Sequence, residues 1–296
     1  MFPKNVANEK LNIYGLPMGH GEGTIIQCPV DAYGNGGELS VFDLGSIIKY
    51  YEWWDVEKLL KQGQKIRYMF LTHADETHTS FFPKVFPIEQ AETEVYPDLS
   101  ELQAIYHTCP MDHYVYSGPP KETSVQDWLE FNKAKTIMIN DGVACGTRKC
   151  LLEHDMKVCT CSDDRKITLC PSTPEISMEF LAANLNNCER DRFGQIDSDI
   201  DSLVARLVYN DFSMLLMGDN KSPMQEDVIS FYESIEPGYL KSTVLQIAHS
   251  GNYYGTTTAL VAAVKPAIAF YSSAHLNQDW SAGDCKTLDR LINNGK

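Results

Sequence analysis

The stretch FLTHADETHTS, residues 70–80, decides how this chain is read. Phe70, Leu71 and Thr72 lead into His73, Asp75 and His78, with Glu76 and Thr77 between them. If a strand ends at His73 and a helix begins near Thr77, the residues at i, i+2 and i+5 face one point. Imidazole and carboxylate groups so gathered suit zinc, manganese or iron, and such ions activate water near neutral pH. The plainer alternative is a polar strand-to-helix turn with Asp75 as an N-cap. What separates the two is whether distant parts of the chain send similar groups to the same place.

Several do, by pattern. FLTH ends an apolar run in His73, LLMGD in Asp219, LQIAH in His249 and AFYSSAH in His275, and VFDLG carries Asp43 inside an apolar run. Loops at the carboxyl ends of strands build sites in layered α/β proteins, because rigid strands aim them at one crevice. Asp43 is expected to brace the ligand loop by hydrogen bonds. His20, His107, His113 and His154 have no partner at ligand spacing and are expected on the surface or in packing. GHGEG, with Gly19, Gly21 and Gly23, precedes a strand rather than a helix. It therefore reads as a tight hairpin beneath the site, not a dinucleotide fingerprint. No G-x-S-x-G elbow supports a serine hydrolase.

Strand-like segments are 10–16, 24–29, 39–45, 66–73 and 113–118, with helices over 46–63 and 123–135 and a helix-like start at 98–107. From 136 to 171 short alternating pieces suggest an antiparallel meander. The segments 201–211 and 212–219 pair across Asn210-Asp211, and two strand–helix pairs follow. No linker or repeat divides the chain, so residues 1–296 are expected to form a single domain of α/β type.

Hydrophobic residues make up 43% of the chain, and 25 basic residues face 40 acidic ones for a net charge of −15. An acidic surface repels polyanions and disfavours long nucleic acid as a partner. With no apolar leader and no run near the ~20 residues of a membrane span, a cytoplasmic protein is expected, without membrane contact. Nine cysteines include a cluster at Cys145, Cys150, Cys159, Cys161 and Cys170. Their spacing fits a structural zinc site poorly, and reduced cysteines packed as small hydrophobes are expected.

The landmarks LPMGHGEGTIIQ (16–27), VFDLGS (41–46), FLTHADETH (70–78), DSLVARLVYNDFSMLLMGD (201–219), VLQIAHSG (244–251) and VKPAIAFYSSAH (264–275) run in one order over nearly the whole chain. In that order the chain resembles the metallo-β-lactamase fold, and within it the branch similar to the C-terminal domain of the competence protein ComEC. The resemblance implies a four-layer αββα sandwich with one or two metal ions at the edge of its sheets. His73, Asp75, His78, Asp219 and His249 would be the metal ligands, with Asp75, Asp219 and His249 catalytic. Ser250, Gly251 and Asn252 would contact substrate. The reaction would be hydrolysis of a phosphodiester, or of a small ester, thioester or lactam, with a small or short phosphodiester substrate favoured by the charge. The usual family motif is H-x-H-x-D-H; here it reads H-A-D-E-T-H, and Thr77 stands where an Asp binds the second metal. Ala248 replaces a frequent second His, and Gly283-Asp284-Cys285 replaces Gly-His-Pro. These departures support a rival reading, a catalytically inactive binding or scaffold module on the same fold.

Overall fold

The computed structural model describes residues 8–46, 60, 64–88, 96–108, 124–140, 158–159, 165–184, 199–272 and 285–294. Among the described residues, thirteen strands form two sheets. The first, of seven strands, runs β1 (Asn12–Gly15), β2 (Gly23–Gln27), β3 (Leu39–Leu44), β4 (Ile66–Leu71), β5 (Ala104–His107), β6 (Thr136–Asn140) and β7 (Val158–Cys159). Its first three strands are antiparallel and the remainder parallel. The second, of six strands, is ordered β13-β12-β11-β10-β9-β8. These are β8 (Lys166–Thr168), β9 (Ser177–Ala182), β10 (Val204–Tyr209), β11 (Phe212–Leu216), β12 (Val244–Gln246) and β13 (Ile268–Phe270). Four of them are antiparallel, and β12 and β13 continue in parallel from β11.

Period-two alternation explains the layering, since successive side chains leave opposite faces of a strand. Phe42, Phe70, Tyr106, Phe180, Ala205 and Leu207 fill the space between the sheets. Phe70 stacks on Tyr106 at 5.4 Å, and Tyr106 meets Phe180 of the other sheet at 4.9 Å. Val41, Met69, Leu71 and Ile105 point the other way, onto Phe82, Val85, Trp128 and Leu129 of helices Phe82–Val85 and Val125–Phe131. Val204, Leu215 and Leu245 pack outward on Val228, Tyr232, Leu260 and Val264 of helices Ser222–Ile235 and Thr258–Val264. The result is the four-layer αββα sandwich. Strands covered on both faces read as continuous apolar runs, which is why β3 and β4 are so hydrophobic.

Several expectations change. Residues 98–107 do not start a helix: Asp98 forms an isolated backbone bridge with Lys65, and Ala104–His107 becomes β5. The described strands between 136 and 171 do not form a meander with one another: β6 and β7 extend the first sheet in parallel, while β8 belongs to the second. The cysteines are not all reduced. Cys28, just after β2, and Cys170, just after β8, form a buried disulfide that ties one sheet to the other. The 46–63 helix lies outside the described residues beyond Ser46 and a buried, helical Leu60. The strand expected at 113–118 lies outside them as well, as do Cys145, Cys150 and Cys161. No helix among the described residues is long and apolar enough to cross a membrane.

Candidate metal centre

The site is assembled where β3, β4 and β11 end. Asp43, the penultimate residue of β3, has φ 53°, a left-handed conformation that Asp tolerates better than most residues. Its carboxylate accepts from Thr72 N and from Thr72 Oγ1, each at 2.8 Å, which fixes the residue before His73. The same carboxylate lies 2.8 Å from His78 Nδ1. From the second sheet, Leu203 N donates to Thr72 O at 2.8 Å, and Asp219 N to Ser202 Oγ at 3.2 Å. His249 N reaches Gly218 O at 3.1 Å. Gly218 has φ 51°, and a Cβ there would stand 2.9 Å from Thr72 Cβ. A glycine is what lets the end of β11 close against the end of β4.

Three side chains converge in this corner. His73 Nε2, His78 Nε2 and Asp219 each offer a ligand atom, all within 4.8 Å of one another. His73 and His78 are buried, and Asp219 is 6% exposed. His73 Nδ1 lies 3.0 Å from Thr72 Oγ1, a hydroxyl already donating to Asp43. That oxygen can accept the Nδ1 proton and leave a lone pair on Nε2. His73 Nε2 is then buried without a hydrogen-bond partner, 3.8 Å from Asp219 Oδ2. Two ligands of a tetrahedral zinc lie about 3.3 Å apart, given bonds near 2.0 Å. Separations of 3.1 Å (His78 Nε2 to Asp219 Oδ1) and 3.8 Å therefore suit donors around one small cation. A second set shares Asp219 and adds Asp199 and His249. His249 Nε2 lies 3.9 Å from Asp219 Oδ2, and its Nδ1 lies 3.7 Å from Asp199 Oδ2, buried and unpartnered.

The electrostatics set the two imidazoles apart: His78 is drawn toward the imidazolium form and has to shed its Nε2 proton before that nitrogen can bind a metal, whereas His73 does not. Burial opposes a charge on His78, but the carboxylates of Asp219 and Asp43 lift its pKa well above the ordinary imidazole value. Burial also opposes ionisation of Asp219, yet the facing His78, His249 and His73 hold its carboxyl far below the usual range. Burial and the neighbouring His78 push the His73 pKa down, keeping that imidazole neutral and able to bind metal. On the other flank of His78, the buried Glu22 accepts from Gln246 Nε2 at 2.5 Å, and its pKa is raised chiefly by burial. Glu22, Asp43 and His78 form a third set of close donors.

Asp75 is not brought into any of these sets. It is the N-cap of helix Glu76–Thr79, and its Oδ1 accepts from Thr77 N at 2.7 Å and Thr77 Oγ1 at 2.6 Å. A capped helix end satisfies an orphan backbone donor, so this carboxylate has work without an ion. Ser250 and Gly251 are buried in the single turn His249–Gly251, and Ser250 N points to Glu22 Oε1 at 3.4 Å. Asn252 Oδ1 accepts from Tyr254 N at 3.1 Å. His249 and Ser250 both have positive φ, at 54° and 47°. Strained non-glycine backbone of this kind concentrates at functional sites. His275 and Asp284 lie outside the described residues.

Two residues escape a reading by spacing. Asp199 stands 20 residues before Asp219 in the acidic sequence DSDID, with no apolar run of sequence leading into it. His20, expected on the surface or in packing, is half-buried: burial lowers its pKa, and the charges of Asp219, Asp75, His249 and His78 act on it as well. The signal lay in its setting. Gly21 packs so tightly that a Cβ would sit 2.1 Å from Gly45 O and 2.7 Å from Thr77 O, which pins the GHGEG hairpin under the ligand turn.

No protein-family model matches the chain, and no curated protein matches its sequence. Among solved structures it is similar to the short form of human tRNase Z, with a TM-score of 0.45 and 11% identity over 91% of this chain and 97% of that one. It is also similar to the metallo-β-lactamase fold protein YhfI from Bacillus subtilis, with a TM-score of 0.43 and 10% identity over 96% of this chain and 91% of that one.

Proposed function

We propose that the chain is a metal-dependent hydrolase, acting on a phosphodiester or on a small ester, thioester or lactam. The observation that carries this reading is the buried, unpartnered His73 Nε2 aimed at Asp219 and flanked by His78. A buried nitrogen without a partner is expensive, on the order of 1–3 kcal/mol, unless something binds it. His73, His78 and Asp219 are the residues that would hold an ion, with zinc favoured by the two imidazoles and manganese or iron as alternatives. A bound ion of this kind supplies Lewis acidity and an activated water.

The chain's own groups do the rest. Asp43 fixes the His78 ring through Nδ1, and Thr72 fixes the His73 ring through Nδ1, so both present Nε2 inward. Asp219 draws the imidazoles together and is ionised at neutral pH. His249 borders the same centre, where it can orient substrate. The net charge of −15 favours a small substrate over a long polyanion.

One observation favours the rival, a non-catalytic module: the Thr77 hydroxyl is bonded to Asp75, and the position supplies no carboxylate. Elemental analysis of protein purified without chelator separates the two. Stoichiometric metal, lost in His78→Ala together with hydrolysis of a generic phosphodiester or ester, supports the enzyme. Metal absent from the unaltered chain but acquired on Thr77→Asp supports the inactive module.

A further inference from the structure

We infer that Lys221 serves as a resident cation over the second donor set and limits the centre to a single metal ion. The inference rests on the metal-centre reading above. Asp199, Asp219 and His249 gather closely enough to hold an ion, yet Lys221 Nζ already lies 2.7 Å from Asp199 Oδ2. Both imidazoles stand farther from that carboxylate, His73 Nε2 at 3.7 Å from Oδ1 and His249 Nδ1 at 3.7 Å from Oδ2. The ammonium therefore holds the hydrogen bond while the two rings do not reach one.

Its position is built in. Lys221 follows Asp219 by two residues and is the N-cap of helix Ser222–Ile235, with Met224 N and Gln225 N both donating to its carbonyl at 3.1 Å. Gln225 Nε2 clamps the same loop through Asn220 O and Gly255 O, each at 2.6 Å. With the backbone so anchored, the side chain is delivered to Asp199. The side chains of Asp199 and Lys221 are only 18% and 28% exposed, so solvent incompletely screens their pairing and the repulsion of another cation by the ammonium. A divalent ion arriving there meets a fixed positive charge and finds one of its carboxylates engaged. Lys221 is thus a selectivity residue for metal number, and it leaves His73, His78 and Asp219 untouched.

Zinc titration of the chelator-stripped full chain tests this, with stoichiometry read by calorimetry and by elemental analysis after desalting. One zinc per chain is expected for the unaltered protein, two for Lys221→Met, and one for Lys221→Arg, which keeps the charge. Asp199→Asn added to Lys221→Met should return the count to one. Two ions in the unaltered chain overturn the inference, as do a count of one in Lys221→Met and a count of two in the double variant. No zinc in the unaltered chain overturns the metal-centre reading itself, and the inference falls with it. Melting curves of the variants, expected to match the parent, establish that the counts come from folded protein.

Discussion

Asp43 Oδ2 accepts a hydrogen bond from His78 Nδ1 at 2.8 Å, and so decides which nitrogen of His78 faces Asp219. Replacing Asp43 by Asn keeps a residue able to occupy φ 53° but removes the charge that orients the ring. Asp43→Asn should fold and lose about 10–100-fold in metal affinity, as outer-sphere changes typically do. Competition against a chromogenic chelator measures it. An affinity equal to the parent's would mean that His78 is not a ligand held by Asp43.

Gly21 allows the GHGEG hairpin to touch the ligand turn backbone to backbone. In Gly21→Ala a methyl group meets Gly45 O at 2.1 Å and Thr77 O at 2.7 Å, neither of which is a flexible side-chain end. Overpacking of this kind costs roughly 1–3 kcal/mol. The expected outcome is a lower denaturant midpoint together with weakened metal binding. Gly34→Ala serves as a control on a more open site, since no atom lies within 4 Å of its added Cβ, although its φ of 81° carries a strain of its own.

Glu179 of β9 faces Arg206 of β10 across the second sheet, with Nη2 at 2.6 Å from Oε2 and Tyr239 Oη at 2.5 Å from Oε1. Burial opposes its charge, yet the Tyr239 hydroxyl and the Arg206 guanidinium hold its pKa below the ordinary value. A depressed carboxyl contributes stability that is complete above its unfolded pKa, near 4.3, and fades as pH falls through the folded pKa. Glu179→Gln should therefore cost about 3 kcal/mol at pH 7, where it strands Arg206. The gap to the parent should narrow steadily below about pH 4. Urea midpoints across that pH range provide the check, and a constant gap would contradict the assignment.

The disulfide between Cys28 and Cys170 spans 142 residues of sequence. Closing a loop of that length restricts the unfolded chain by about 5 kcal/mol on the chain-entropy account. Cys28→Ser with Cys170→Ser, or full reduction, should lower the unfolding free energy by several kcal/mol on that account. Peptide mapping without reductant should recover the two cysteines in one linked pair. Finding both as free thiols would remove the cross-link and this stabilisation together.

Much of the fold could be read from local pattern. The hairpin of β10 and β11 was visible because apolar runs flank Asn210, a residue that accepts the left-handed turn it adopts. β9 was hidden: SMEFLA places Ser177 and Glu179 among its buried residues, and Glu179 is tolerated through Arg206 and Tyr239, partners 27 and 60 positions away. The segment before β5 imitates a helix start, and pairing with β4 overrides that local preference. Within the site, strand ends announced His73, Asp219 and His249, while Asp199 and Lys221 become visible only when separate loops meet. Asp75 carries both a ligand's chemistry and a cap's position, and spacing alone does not choose between them. Cys28 and Cys170 sit 142 residues apart with no motif linking them, so their bond is a property of the stacked sheets.

That bond has a practical consequence for anyone handling the protein. A protease that nicks the backbone anywhere between Cys28 and Cys170 produces fragments that still migrate as one species until thiol is added. Integrity judged on a gel run without reductant would miss every such cut, and bound metal and intact mass would be credited to a chain already in two pieces.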